Sequence, residues 1–245
     1  NDWQRWQQMR ERMPHALMIH GPNGIGKVDF AEHAARSLLC ETPSVDGHAC
    51  GTCASCGWFE QYSHPDYRRV RPEALDAEDE DDAPNDSEDT TAKKSASSKT
   101  PSRDIRIEQI RSLASFMNVS THRAGRRVIL LYPAEALNAP SANALLKTLE
   151  EPPSYAIFIL ATTEKHKILP TILSRCQIFD FKRITTEHIV GHLQSIASKE
   201  AMIAEEAALH VIAQKSEGCL RDALSILDKI VSFTDGKLTY SNTLE

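Results

Sequence analysis

Four cysteines in the segment "CETPSVDGHACGTCASC", namely Cys40, Cys50, Cys53 and Cys56, carry the clearest chemical pattern in this sequence. Nine residues separate the first two, and two residues separate each later pair. Closely spaced cysteine turns converge sulfurs on one tetrahedral ion, so the spacing predicts a four-thiolate zinc site. Four protein ligands leave no open coordination position, which makes such a metal structural. An iron–sulfur centre is the lesser alternative, and a disulfide framework does not suit a reducing compartment. Cys176 and Cys219 lie far away and read as buried thiols.

A second pattern precedes the cysteines. Residues 20 to 28 read "HGPNGIGKV". Gly21, Gly24, Gly26 and Lys27 fit the phosphate-binding pattern G-x-x-x-x-G-K-[ST], whose last hydroxyl normally holds Mg²⁺. Here Val28 puts a methyl where that oxygen should be. The loop could survive as architecture, or as a weak phosphate cradle through its backbone N–H groups. The sequence leaves nucleotide binding open.

These residues need a frame. "HALMIH" (15 to 20) reads as a short buried strand running into the loop. Phe30, Ala31, Ala34, Ala35, Leu38 and Leu39 then mark an amphipathic helix. "RRVILLY" (126 to 132) and "AIFILATT" (156 to 163) read as buried strands, "DYRRVRPE" as a further one. Helices are expected at the N-terminus up to Pro14, over 104 to 117 after an extended start, and over 134 to 151. Strands alternating with helices imply an α/β fold, a Rossmann-like parallel sheet with helices on both faces. From about 182, three amphipathic segments predict a small three-helix domain. The expected division is a core over 1–181, with a zinc module at 40–56, and a helical lid over 182–245.

Charge is unevenly spread. The net charge is −6, but the segment 73 to 89 holds ten of the 34 acidic residues and no basic one. The remainder, 28 basic against 24 acidic, neither excludes nor supports a nucleic-acid partner. Residues 73–102 are expected to be a disordered acidic insertion. No apolar run reaches the roughly 18 residues a membrane span needs, and no signal-peptide pattern opens the chain. The start at Asn1 is expected to be a trimmed one, and the expected compartment is the cytoplasm.

The phosphate loop, the C-x₉-C-x₂-C-x₂-C segment, "NALLKTLEEPP" (143 to 153) and "LSRC" (173 to 176), in that order, resemble the AAA+ clamp-loader subunits of bacterial DNA polymerase III. The first half is similar to the delta prime branch, whose members carry this zinc module and hydrolyse no ATP. The stretch from Tyr155 to Thr185 and the helices after it are more similar to the gamma/tau motor branch. The resemblance implies an AAA+ P-loop core and lid within a hetero-oligomer of gamma/tau and delta partners. That assembly acts on primed DNA and on a sliding clamp that this subunit would meet indirectly. It also implies a third, collar domain, which this sequence is expected to lack.

The resemblance assigns roles as well. A hydrolysing member ends the third strand in Asp-Glu, one carboxylate for Mg²⁺ and one for the attacking water; this chain has Tyr132 and Pro133, with Glu135 expected in the following helix. With Val28, two losses fall on one metal site, and no intrinsic ATPase activity is expected. Arg175 matches the arginine that enters a neighbour's ATP site as a finger in trans. Arg221 matches the lid's sensor arginine, and Thr162 and Thr163 match the first sensor region, over a degenerate site. Two alternatives remain: an ATP-hydrolysing gamma/tau-type motor, and a zinc-dependent DNA-binding module. The 40–56 segment is poor in Lys and Arg, which counts against the second.

Overall fold

The computed structural model describes residues 2–10, 12–76, 101–119, 121–122, 125–200, 202–234 and 237–244. Five strands form its main sheet: β1 (Ala16–His20), β2 (Tyr67–Val70), β3 (Arg127–Leu131), β4 (Ala156–Thr162) and β5 (Gln177–Asp180). Their spatial order is β2-β3-β4-β1-β5. β2 and β3 pair in parallel with Tyr67 opposite Val128, and β3 and β4 with Arg127 opposite Ala156.

The central strands β1, β3 and β4 are largely apolar because both of their faces are buried, whereas β2 and β5 at the sheet edges carry exposed polar residues such as Arg68, Gln177 and Asp180. Met18, Ile129, Leu131, Phe158 and Leu160 join one core with Ile110, Leu113 and Met117 of α4 (Ile107–Asn118) and Ala142, Leu145 and Leu149 of α5 (Ala139–Glu150). The alternate residues Leu17, Val128, Leu130, Ile157 and Ile159 face the other way and are buried too. A period of two with no polar face is what a covered parallel sheet requires. The other helices of this part are α1 (Asp2–Arg10), α2 (Lys27–Leu39), α3 (Ala54–Glu60) and the short α6 (Pro170–Leu173).

Two local expectations are corrected. The single helix expected over 134–151 is a 3-10 turn, Ala134–Ala136, followed by α5. Asn138 divides them: its side chain accepts from Ser141 N at 3.0 Å, capping α5, with Pro140 in the first turn. The acidic insertion lies largely outside the described residues, but its ends, 73–76 and 101–102, are structured. Ala74 N donates to Ser102 O at 3.1 Å, and Glu73 pairs with Arg106 at 2.9 Å.

The chain forms two compact units, Asn1–Met18 with Ala31–Ile178, and Ile19–Phe30 with Phe179–Glu245. The phosphate loop thus groups with the C-terminal helices rather than with the preceding chain. The second unit contains α7 (Thr186–Lys199), α8 (Glu206–Lys215) and α9 (Leu220–Thr234). They share a core of Ile189, Leu193, Leu209, Ile212, Ala223 and Leu227. A two-stranded parallel pair, β6 (Ile203–Ala204) with β7 (Lys237–Leu238), and a short α10 (Tyr240–Leu244) complete it. The sequence reading missed these last three elements, two of which are too short for any periodicity to register.

Candidate functional site

Local structure brings the four cysteines together. Cys40 follows the last turn of α2, its N–H donating to Arg36 O, and Cys53 caps α3, accepting from Cys56 N. Their sulfurs all lie within 4.8 Å of one another. Cys40 Sγ stands 3.9 Å from Cys53 Sγ, and Cys50 Sγ 4.0 Å from Cys56 Sγ. Four thiolates about 2.3 Å from one tetrahedral ion are roughly 3.8 Å apart, and a disulfide would bring sulfurs to roughly 2.05 Å. The spacing therefore fits one ion. A multi-iron cluster would hold the sulfurs farther apart than a single metal.

Backbone amides also point at the sulfurs. Cys50 N donates to Cys40 Sγ at 3.3 Å, Cys53 N to Cys50 Sγ and Cys56 N to Cys53 Sγ, both at 3.4 Å. Gly51, at φ +77°, allows the turn between them. The Thr42 hydroxyl and nearby donors pull Cys50 down to about 5, whereas burial pushes Cys56 up to about 12. Arg36 supplies a cation beside them, 2.5 Å from Glu60. Burial opposes its charge, but hydrogen bonds to Cys56 and Glu60 outweigh that and raise its pKa. The module is tied to the core through Ser55, whose hydroxyl donates to Leu39 O at 2.7 Å and lies 2.6 Å from His64 Nε2. His64 Nδ1 accepts from Asp66 N at 3.0 Å, so its proton sits on Nε2, directed at Ser55. The Ser55 proton is committed to a carbonyl, so this pair is a brace and no nucleophile.

The phosphate loop turns through Gly24 (φ +69°) and Gly26 (φ +80°) into α2. Lys27 is only 7% exposed, and its Nζ donates to Pro22 O. The start of α9 is stitched to the loop: Arg221 N donates to Gly24 O at 3.1 Å. A Cβ on Gly24 would lie 2.1 Å from Cys219 Sγ, so a side chain there requires that sulfur to move and a backbone held at φ +69°. Pro22, Asn23, Gly24, Arg183, Lys215 and Arg221 help line a cleft of about 270 Å³ in this unit. Arg221 and Gly24 are thus brought together. Gly21 is equally confined, since a Cβ would meet Phe181 O at 2.7 Å.

β3 leads into Tyr132, which is half-buried, and Pro133. Burial raises the Tyr132 pKa, against the lowering pull of the Arg69 and Arg71 guanidinium groups. The Glu32 carboxylate acts on the same phenol, and each arginine is itself ion-paired, Arg69 with Glu32 at 3.7 Å and Arg71 with Asp76 at 2.5 Å. Glu135, expected at the start of the following helix, lies in the 3-10 turn Ala134–Ala136. Its Oε1 accepts from Thr163 Oγ1 at 2.6 Å and from Thr163 N at 3.2 Å, just beyond the end of β4. Burial works to raise its pKa, but the Thr163 hydroxyl and neighbouring donors hold it below the usual value. The sequence reading missed this pair because the partners are 28 residues apart, on different strand tips.

Arg175 follows α6, where Arg175 N donates to Ile172 O at 3.0 Å. Its side chain is 35% exposed. Nη1 donates to Thr171 O at 2.8 Å and Nη2 to Glu150 Oε1 at 2.9 Å. The adjacent Cys176 is half-buried against the core, and burial pushes its thiol up to about 11. Cys219 is buried. Among the described residues, no helix is long and apolar enough to cross a membrane.

Comparison with known proteins follows the same outline. The family described as "DNA polymerase III, delta subunit" matches residues 2–185. The one described as "DNA polymerase III clamp loader subunit, ATPase lid domain" matches residues 188–236. DNA polymerase III subunit tau of Bacillus subtilis is 35% identical, over 96% of this chain and 37% of its own length. Subunit delta' of Pseudomonas aeruginosa is 39% identical, over 71% of this chain and 46% of its own. The chain thus spans less than half the length of either relative. Among solved structures, the Thermotoga maritima RuvB Holliday junction branch migration motor aligns over 100% of this chain and 66% of its own, with TM-score 0.62 and 15% identity. A single-residue variant of that RuvB aligns over 98% of this chain and 63% of its own, with TM-score 0.60 and 14% identity. Those two likenesses establish a common fold alone. Matched over residues 2–185 by the delta-subunit family and over 188–236 by the clamp-loader lid, the chain belongs to the DNA polymerase III clamp-loader family of AAA+ proteins.

Proposed function

We propose that this chain works as a delta prime-type, non-hydrolysing subunit of the loader. It would scaffold the ATP-dependent placement of a sliding clamp on primed DNA, alongside gamma/tau and delta partners in the cytoplasm. The observation that carries this reading is the tip of β3, where the strand ends at Leu131 and Tyr132 and Pro133 follow. A hydrolysing site needs carboxylates there to order Mg²⁺ and water, and Val28 offers the metal no oxygen either. The functional division is a core over 1–181 and a lid over 182–245, in keeping with the lid match from 188 onward.

Arg175 serves a neighbouring subunit in this reading. Its N–H groups would meet the oxygens of the phosphoryl group in transfer and stabilise the charge developing on them. Gly21, Gly24, Gly26 and Lys27 keep the form of a phosphate cradle, with Arg221 and Thr163 as remnants of nucleotide sensing. The thiolates of Cys40, Cys50, Cys53 and Cys56 would hold one structural zinc, which fixes the module and takes no part in catalysis.

A second reading, an active gamma/tau-type motor, draws on the 35% identity to the tau subunit over 96% of the chain. Steady-state turnover separates the two. The purified chain is expected to show no Mg²⁺-dependent ATP hydrolysis, and Val28→Thr alone is expected to restore none. Turnover that disappears in Lys27→Ala would establish the motor.

A further inference from the structure

Glu150 is a surface carboxylate with a costly address. It occupies the last turn of α5, where the helix dipole disfavours a negative charge. Its ion pair with Arg175 spans elements 25 residues apart, with the two side chains 47% and 35% exposed. A pair this exposed contributes little to stability, because solvent screens it and two long side chains must be held in one geometry. Global stability is therefore a poor explanation for this arrangement.

Its geometry explains more. A guanidinium carries several N–H donors in a rigid fork. One is held by Thr171 O on α6 at 2.8 Å, and a second by Glu150 Oε1 at the end of α5 at 2.9 Å. Ile172, fully buried, anchors α6 beneath them. With a longer contact from Nη1 to Ser174 Oγ at 3.5 Å, these bonds fix the plane of the fork and, among the described residues, leave Nε and the second N–H of Nη2 for another acceptor. An unheld arginine otherwise carries rotamer entropy that must be lost when it docks.

We propose that Glu150 is the positioning residue for Arg175, presenting its guanidinium in advance to a phosphoryl group held by the neighbouring subunit. This rests on the trans role of Arg175 proposed above. The carboxylate contacts no nucleotide. It acts by holding Nη2 and by removing the orientational freedom that docking would otherwise consume.

The test uses the full-length protein assembled with its motor partners, clamp and primed DNA, with assembly checked by size exclusion. Glu150→Ala is expected to lower DNA-stimulated ATP turnover at saturating ATP by roughly 3- to 10-fold at the site served, with KM unchanged. Glu150→Gln retains an acceptor oxygen and is expected to keep most of the rate. In an Arg175→Ala background, Glu150→Ala is expected to add nothing, a non-additivity that a merely structural carboxylate would not give. If Arg175→Ala slows turnover while Glu150→Ala does not, or if the two losses multiply, the positioning role is wrong and the finger stands. If Arg175→Ala itself turns over at the native rate, both fall.

Discussion

Glu135 illustrates how surroundings assign a role that residue type does not. A carboxylate beside a strand could order a metal, but here one oxygen is engaged twice by Thr163. Its pKa is depressed in the folded chain despite burial. The linked stability is therefore present above the ordinary value of 4.5 and disappears as pH falls through the lower folded value. Glu135→Gln is expected to melt earlier than the native chain at pH 7, with the gap closing on acidification below that range. A gap that stayed constant in thermal melts down to pH 3 would remove this assignment. At the thiolates, elemental analysis of the native protein is expected to find about one zinc per chain and of Cys53→Ala/Cys56→Ala none. Chelation is expected to raise hydrogen exchange over residues 40–62 well before it loosens β3 and β4. Native protein without zinc, or simultaneous loosening of the sheet, would contradict it.

Between elements, the informative contact is the approach of α9 to the phosphate loop. Gly24 leaves no room for a side chain beneath Cys219, and its φ of +69° is one that other residues adopt at a cost. Gly24→Ala is expected to destabilise the protein by roughly 1–3 kcal/mol, read as a lower midpoint in urea. Adding Cys219→Ala removes the sulfur from the colliding position and is expected to recover part of that loss, leaving the backbone strain. If the double variant is less stable than the sum of its single changes, the clash is not what glycine avoids.

For the molecule as a whole, the proposed activity belongs to an assembly. Arginine fingers contribute roughly 10³ to 10⁵ in rate at the site they serve. A loader has several such sites, so Arg175→Ala is expected to leave folding and assembly intact while reducing total turnover and clamp loading by a smaller factor. Arg175→Lys is expected to restore neither, because an ammonium lacks the planar fork. Clamp loading at the native rate by Arg175→Ala would relegate the residue to ordinary surface.

The cysteine spacing, the glycine loop, the buried strands and the order of motifs were legible from residue types alone. Each depends on local geometry: a turn between sulfurs, a backbone that must bend, a face that must be dry. Asn138 was legible in principle too, as a cap ahead of Pro140, but the helical periodicity on either side concealed it. What only the tertiary structure decided was pairing across distance. Thr163 with Glu135, Arg175 with Glu150 and Gly24 with Cys219 join segments that no local pattern relates. Their partners are chosen by the packing of strand tips and helix ends. A side chain's protonation and orientation follow from that packing, whereas its element follows from the residues beside it.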